Sequence, residues 1–592
     1  MTDFNAPDVR VREIRKGPLV AKGAGSTIGG FLGICSRGPV NTPTLVSSFQ
    51  EAVSYFGTFR TDSEMMYAVK AFFENGGKYC YICRVTGSGA AAAAISSANG
   101  TGAIIDWDAS FVGILANGWT ITTTRKAITV SEVPAGASLG TGAITSLVLT
   151  SVSRIRIGDL FRVRSTNGSE PDTLTSTATG VNTSTNTVAF ASTAPQNPAG
   201  APSAGGITVA SPTDAVVDIL VFDVVLRDVD GSILYEWKNL RMSSLSANYY
   251  ATVINQTFRT PLVAAANGAG AAASDPRPTD GTVTLAAGAD PTITDASYIG
   301  GGTGSGTGLN AFDGTPEMDM LSIPGVFGTS QAVAKAHLDH ADLLGTYVAI
   351  PEIPVGTSVA NAIVHASTNV NRYTTFAEGY WYPNLYILDP VTGEKVLVGP
   401  TGARQGCIVR THRARGSAKA AAGTVDGRIL GVVGVERTVS KTEYDLLYPA
   451  RINAIKSVTG AGICFMGNIT LDPDESVIES SVRFYLLKTR KTLQNGLQWI
   501  AFELNNKATR ARATRYIGSL LREDWRNGLL NGDQESDAYF VVCDETNNGP
   551  EVQAARKLNI RVGVNVTHTA EFVDITLELD TRALDASLAQ QG

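Results

Sequence analysis

Thr61-Asp-Ser-Glu-Met-Met-Tyr-Ala-Val-Lys-Ala-Phe-Phe-Glu-Asn-Gly-Gly-Lys-Tyr-Cys-Tyr-Ile-Cys-Arg-Val85 changes its hydrophobic period partway along. Met65, Met66, Val69, Phe72 and Phe73 recur at helical spacing. Thr61 to Glu64 has the form of a capping box ahead of them, and Asn75-Gly-Gly77 supplies a stop. Lys78 to Val85 follows directly and reads as a strand. Upstream, Phe31-Leu-Gly-Ile-Cys35 is an apolar strand closed by Ser36 to Val40, and Ser47 to Phe56 carries a helix pattern that Gly57 ends. Strand, helix, helix, strand in that order predicts part of an α/β layer.

Before this unit the chain is extended. Ala6-Pro-Asp-Val-Arg-Val-Arg-Glu-Ile-Arg15 sets Val9, Val11 and, after a slip, Ile14 against Arg10, Arg12 and Glu13. The pattern describes a strand with one buried face, but the run Lys16 to Gly30 after it offers no turn that folds a partner back. A lone strand does not persist in water, so its backbone needs another sheet, and a neighbouring copy of the chain is a natural supplier. Phe572 to Leu579 repeats the situation at the other end, where Ile575, Leu577 and Leu579 alternate with Asp574, Thr576 and Glu578.

After Val85 the texture changes. Gly87-Ser-Gly-Ala-Ala-Ala-Ala-Ala94 reads as a joint, and short Val-, Ile- and Thr-rich runs then alternate with Gly, Asn, Ser and Pro as far as about residue 310. Ile155 to Val163 and Ile219 to Leu226 are examples, and such punctuation predicts a β sandwich or barrel. The glycine run 300–308 reads as a second joint. The α/β texture then resumes. Helices are expected over Ser330 to Leu344, Val477 to Leu493 and Lys507 to Asn527. Strands are expected at Met320 to Pro324, Tyr347 to Ile350, Trp381 to Asp389, Trp499 to Phe502 (buried) and Ala538 to Cys543. The resulting expectation is a multidomain α/β chain. Residues 1–22 form an arm, 23–87 with 310–570 an α/β core, 88–309 a β-rich insertion and 571–592 a second arm.

The bulk numbers suit such a protein. At 592 residues the chain is too long for one core, and 43% hydrophobic with 17% charged residues is a globular balance. A net charge of -6 argues against wholesale nucleic-acid binding. The first residues have no basic or apolar run resembling a Sec signal, and no stretch approaches the roughly 18 apolar residues of a membrane span. The expectation is therefore a chain kept in a reducing cytoplasm, or released other than by secretion. Its six cysteines are scattered.

No phosphate-binding P-loop, His-Glu-x-x-His or Gly-x-Ser-x-Gly occurs, so no cofactor, metal or catalytic residue is expected. Cys80-Tyr-Ile-Cys83 has redox spacing, but within a strand an offset of three sends the two sulfurs to opposite faces. His337 and His340 share a helical stripe with Val333 and Leu344, without a third ligand nearby. Arg404, Arg410, Arg413, Arg415 and Lys419, with His412 among them, read either as a solvated loop or as a contact to an acidic neighbour. The stretch from Lys507 places Lys507, Arg510, Arg512, Arg515, Arg522 and Arg526 around an apolar face of Ile517, Leu520, Leu521 and Trp525. A surface helix explains that pattern, and so does electrostatic docking.

Together these features resemble the contractile tail sheath family of bacteriophages, R-type tailocins and extracellular contractile injection systems. Thr27 to Gly33, Arg37-Gly-Pro-Val40, Ser48 to Gly57 and above all Tyr67 to Gly77 running into Cys83-Arg-Val85 carry the N-terminal part of the likeness. Leu321 to Gly325, Tyr382 to Leu385, Arg451 to Ile455, Gln498 to Glu503 and Cys543 to Asn548 follow in the expected order. The resemblance covers residues 1–87 and about 310–580. Arg415 to Gly423 departs from a segment that commonly carries tryptophan and proline, and Cys464-Phe-Met-Gly-Asn stands where Trp-Gly-Ala-Arg is frequent.

The resemblance implies a non-enzymatic subunit that polymerises as a helical sleeve of many copies, its two arms adding strands to sheets of adjoining subunits. It implies an inner tube, a baseplate and a tail terminator or cap as partners, with no direct nucleic-acid contact and no membrane span. Assembly would take place in the bacterial host cytoplasm, within a virion tail or a released contractile particle. The basic helix is then expected to face the acidic exterior of the tube. Two other readings remain, a β-rich surface or adhesion protein and an α/β enzyme without a legible motif.

Overall fold

A computed structural model describes residues 27–569, apart from 100–101, 137, 140–141, 167–172, 194–206, 209–213, 258–261, 269–274, 303, 371–373 and 555–556. Both proposed arms, with Val9, Val11 and Ile14 at one end and Ile575, Leu577 and Leu579 at the other, lie outside the described residues.

The quoted stretch forms the helix Met65–Glu74 and the strand Cys80–Arg84. That strand runs parallel to Gly29–Gly33 and antiparallel to Thr44–Val46. The pairing then continues into residues far along the chain. Leu32 N donates to Ser322 O at 3.0 Å, and Ser322 N donates to Gly30 O at 3.0 Å. Met320–Leu321 runs parallel to Val348–Ala349, and Tyr380–Tyr382 runs parallel to Ile452–Val458. Parallel bridges Ala349↔Ala377 and Glu352↔Trp381 join those two pairs.

A largely parallel arrangement needs cover on both faces, because its crossover segments lie there. One face buries Phe31, Cys80 and Ile82 with Phe56, Val69, Phe72, Ile408 and Phe484. The other buries Leu32, Cys83 and Leu321 with Val333, Leu338, Tyr347 and Tyr382. The alternation inferred for Cys80 and Cys83 is thereby met. The first face is closed by the helix Thr401–Arg415, which comes against Met65–Glu74 through two glycines. A Cβ at Gly402 would lie 2.1 Å from Ala68 O, and one at Gly406 2.4 Å from Phe72 O. Only residues without a side chain allow that approach.

Between residues 92 and 284 the regular elements among the described residues are strands, apart from the 3₁₀ turn Ile114–Ala116 and the short helix Tyr250–Gln256. An eight-stranded sheet runs in the order Gly281–Thr284, Thr120–Glu132, Ala215–Arg227, Leu160–Ser165, Thr173–Asn182, Thr187–Thr193, Ile144–Val148, with Ile233–Leu240 also on Ala215–Arg227. Thr120–Glu132 follows Ala215–Arg227 along its whole length, while Leu160–Ser165 takes one half of its other edge and Ile233–Leu240 the other half. Two separate cores result, one around Trp107, Trp119, Phe222 and Tyr250, the other around Phe161, Val163, Val188 and Val217. The sheets are open, which corrects the barrel alternative. The polypeptide enters and leaves this region side by side, through bridges Ser88↔Thr292 and Ala91↔Ala289, and Arg84 Nη2 donates to Val112 O at 2.8 Å across the junction.

Three local expectations fail for identifiable reasons. The capping box at Thr61 does not form. Glu64 is the N-cap but makes no side-chain capping bond, and its carboxylate instead accepts from Gly399 N at 2.7 Å. Trp499 to Phe502 is not a buried strand. Gln498–Ile500 is a single 3₁₀ turn and Phe502 is 108% exposed. Of the two readings of the arginine cluster, the solvated loop is the one that fails, because the cluster begins inside the helix Thr401–Arg415, where the Gly-x-x-x-Gly spacing serves helix packing and not flexibility.

Candidate functional site

The C-terminal third contains a unit with a different character. Ser480–Gly496 packs on Lys507–Arg526 through Val482, Tyr485, Ile517, Leu520 and Leu521. Asn506 caps the second helix by accepting from Thr509 N at 2.9 Å, a short polar side chain satisfying an orphan donor. Against this pair lies a sheet of two strands only, Tyr539–Val542 antiparallel to Arg561–Val564, in the register Tyr539↔Val564 to Val542↔Arg561. Each strand has an outer edge without a partner among the described residues. A Cβ at Gly563 would sit 2.1 Å from the Phe540 ring, so glycine lets that ring lie across the sheet, where it remains 47% exposed. Two strands alone are marginal, and an exposed edge is a template for further pairing.

The basic helix divides its cations. Lys507, Arg512, Arg515, Arg522 and Arg526 are exposed, whereas Arg510 is buried, contrary to the expected all-outward arrangement. Arg510 Nη1 donates to Asn505 Oδ1 at 3.1 Å and its Nη2 lies 3.7 Å from Glu545. Arg522 grips Glu535 with Nε at 3.0 Å and Nη2 at 2.9 Å from Oε1. That hydrogen bond holds the Glu535 carboxyl below its ordinary pKa. The Arg512 guanidinium stacks 4.1 Å over the Trp499 ring. Lys507, Arg515 and Arg526 make no ion pair with the described residues. A broad groove of about 1010 Å³ runs between helix and strand pair, lined by Trp499, Arg512, Arg515, Arg522, Tyr539 and Phe540 among others. Beside it Leu504 is 75% exposed, and Phe502 holds a left-handed backbone at φ 71. For a bulky side chain that conformation is a genuine outlier.

Both ends of the described chain emerge at this unit. Thr27 Oγ1 lies 3.2 Å from His412 Nδ1, and the His412 ring sits edge-on to Phe484 of the Ser480–Gly496 helix. Thr569 Oγ1 lies 3.4 Å from Ser481 Oγ of the same helix.

The other singled-out residues serve the interior. His337 is fully buried, stacked on Tyr347 and edge-on to Phe327, and burial brings its pKa down to about 3. His340 bonds Tyr347 Oη at 2.8 Å and Asp313 Oδ1 at 3.0 Å. Arg404 pairs with buried Glu378, Nε at 2.9 Å and Nη2 at 2.6 Å, and stacks 4.4 Å over Trp381. Arg410 donates to the Asn75, Asp426 and Arg428 carbonyls, and Arg415 reaches Asp426 at 3.3 Å. The acidic neighbours of the cluster are thus in its own chain. Among the described residues no group of three His, Cys, Asp or Glu side chains could hold a metal ion, and no helix is long and apolar enough to cross a membrane.

No protein-family model matches the chain, and no curated protein matches it. Solved structures do. The helical sheath of the anti-feeding prophage in its contracted state matches with a TM-score of 0.50 at 13% identity, over 98% of this chain and 100% of that one. A sheath tail protein of Desulfitobacterium hafniense matches with 0.50 at 11% identity, over 91% and 94% of the two chains. A sheath tail protein of Listeria innocua matches with 0.50 at 9% identity, over 89% and 90%. The chain has the fold of contractile tail sheath proteins, the family it resembles in sequence.

Proposed function

We propose that this chain is the structural subunit of a contractile tail sheath, polymerising as a helical sleeve around an inner tube. The observation that carries the reading is the open-edged strand pair Tyr539–Val542 and Arg561–Val564, set in a fold shared with sheath tail proteins along nearly the whole chain. Residues 1–22 and 571–592, with their alternating Val9, Val11, Ile14 and Ile575, Leu577, Leu579, are the strands that complete such pairs in adjoining subunits. Contacts of this heterologous kind do not close on themselves and generate a helical polymer.

In this reading residues 23–87 and 310–570 form the sheath core and 88–309 an inserted outer part. The cross-pairing of Leu32 with Ser322 and the two self-contained β cores support that division. Lys507, Arg512, Arg515, Arg526 and Arg522, the last while paired with Glu535, face the tube, and Arg510 is withdrawn from that role by its burial. Screened ion contacts of this type are individually weak, which lets a register be held before firing and released afterwards. The extended sleeve is metastable, held by a barrier above a shorter and wider packing, and contraction drives the tube through a target envelope. Rigid-body rotation with the arms as hinges needs no nucleotide, which is consistent with a structural, non-enzymatic subunit. A baseplate and a terminator bound the sleeve, within a virion tail or a released contractile particle assembled in the host cytoplasm.

Negative-stain microscopy of the purified protein tests this directly. Hollow polymers are expected, and discrete particles at all concentrations would refute the reading.

A further inference from the structure

Two carboxyls meet inside the α/β core without a cation. Glu64 stands at the N-cap of Met65–Glu74, before the long β segment in the chain, and Glu352 lies beyond Val348–Ala349, after it. Two glycines touch both carboxyls crosswise. Gly325 N donates to Glu352 Oε1 at 2.7 Å, while a Cβ on Gly325 would lie 3.2 Å from Glu64 Oε1. Gly399 N donates to Glu64 Oε2 at 2.7 Å, while a Cβ on Gly399 would collide with Glu352 Oε2. Glu64 is half-buried and Glu352 fully buried, and Glu352 Oε2 has no hydrogen-bond partner among the described residues. The buried Thr401 hydroxyl is close enough to act on the Glu352 carboxyl, yet it makes no hydrogen bond of good geometry. Glu64 is the one ionisable side chain that faces Glu352 among the described residues, and no basic side chain pairs with either.

Two carboxylates held this close repel each other, and a like pair in such a site keeps one proton between them. A buried acceptor without a donor is unfavourable, whereas a protonated oxygen becomes a donor itself. Glu352 Oε2 is the atom that lacks a partner, so the proton belongs there. Glu64 is the acceptor, because a helix N-terminus favours negative charge and Gly399 N already donates to it. Burial raises the pKa of both groups, which acts in the same sense.

We propose that Glu64 and Glu352 share one proton, carried on Glu352 Oε2 and donated to the Glu64 carboxylate, as a clasp between segments that precede and follow the long β segment. Four pieces of chain meet at it, the start of Met65–Glu74, the turn at Gly325, Glu352 and the approach of Gly399 to Thr401–Arg415. Loss of the proton leaves two facing charges and opens the clasp, so the core weakens on the alkaline side. The inference does not depend on what the subunit assembles into.

Glu64→Gln and Glu352→Gln, each in the full-length chain, replace the shared proton by a permanent amide donor. In the infrared spectrum at pH 7 the unsubstituted chain should show a protonated-carboxyl band, and each substitution should abolish it. A band that survives Glu64→Gln places the proton on Glu352 alone and overturns the proposal. Absence of the band from the unsubstituted chain, as a bridging cation would give, overturns it too. Unfolding supplies a second measurement. The unfolding constant of the unsubstituted chain, relative to that of either variant, should rise about tenfold from pH 6 to pH 7, as one proton bound on folding requires. Histidines and cysteines are common to all three chains and cancel in that ratio. A ratio that stays constant, or one that rises about 100-fold as two separate protons would make it, refutes the shared proton.

Discussion

The parallel sheet around Gly29–Gly33 and the strand pair at Tyr539–Val542 use the same kind of backbone and end in opposite conditions. In the first, apolar side chains are buried on both faces, and residues nearly three hundred positions apart pair, Leu32 N donating to Ser322 O and Ser322 N to Gly30 O. In the second, two strands stop with their outer edges open among the described residues, Phe540 half exposed and Phe502 fully so. The first region completes itself, whereas the second is the one the proposed reading has another chain finish. Substitutions in one should unfold the subunit, and substitutions in the other should leave it folded but alone.

Arg404→Ala is expected to have the largest effect. It strands Glu378, which is 0% exposed, as an unpaired buried carboxylate and empties the stack on Trp381. Breaking such a pair costs about 3–5 kcal/mol, read from chemical denaturation. Unchanged stability would place the ion pair outside the core and erase the contrast.

Glu352 comes next. Burial, with Glu64 beside it, pushes its carboxyl pKa up to about 8, while Gly325 N donates to it at 2.7 Å. The folded state therefore holds a proton that the unfolded chain releases above its ordinary value of 4.5. This contribution is fully present below pH 4.5, falls as pH rises toward 8 and levels off above. Glu352→Gln keeps an acceptor for Gly325 and should flatten that decline in melts taken across the range. A slope that survives the substitution would assign it elsewhere.

In the terminal unit the expected effects on stability are small and those on assembly large. Deleting residues 1–20 should leave denaturation midpoints unchanged while polymers disappear from micrographs. Normal sheaths would end the arm model. Arg512→Glu with Arg515→Glu touches exposed cations and should shift stability by no more than about 0.5 kcal/mol. Sedimentation with inner tubes should lose the co-pelleting fraction, and undiminished pelleting would remove the helix from the tube contact.

The α/β core was legible because its elements follow from local rules. Ser330 and Gly345 bracket the helix Gln331–Leu344 as cap and stop, the side chain of Ser330 accepting from Val333 N and Gly345 taking a left-handed backbone. The strand offset of three in Cys80 and Cys83 gave their opposite faces correctly. The misreadings share a cause. Glu64 gave its carboxylate to Gly399 and Arg404 to Glu378, partners hundreds or tens of residues distant that no local pattern announces. Trp499 to Phe502 has strand composition, but the Trp499 ring packs under the Arg512 guanidinium and Phe502 is left exposed, so no sheet forms there. The Arg510 burial was likewise invisible, since helical periodicity places a residue on a face without saying which loop covers it.

The order of side chains alone determined the α/β texture, the break in composition after Val85 and the alternating segments at both termini, because hydrophobic period and turn residues act over a few positions. Only the tertiary structure decided which strands meet across the long β segment, which arginines are spent inside, and where a sheet is left open. Those outcomes depend on contacts between distant residues, where burial and pairing outweigh local preference.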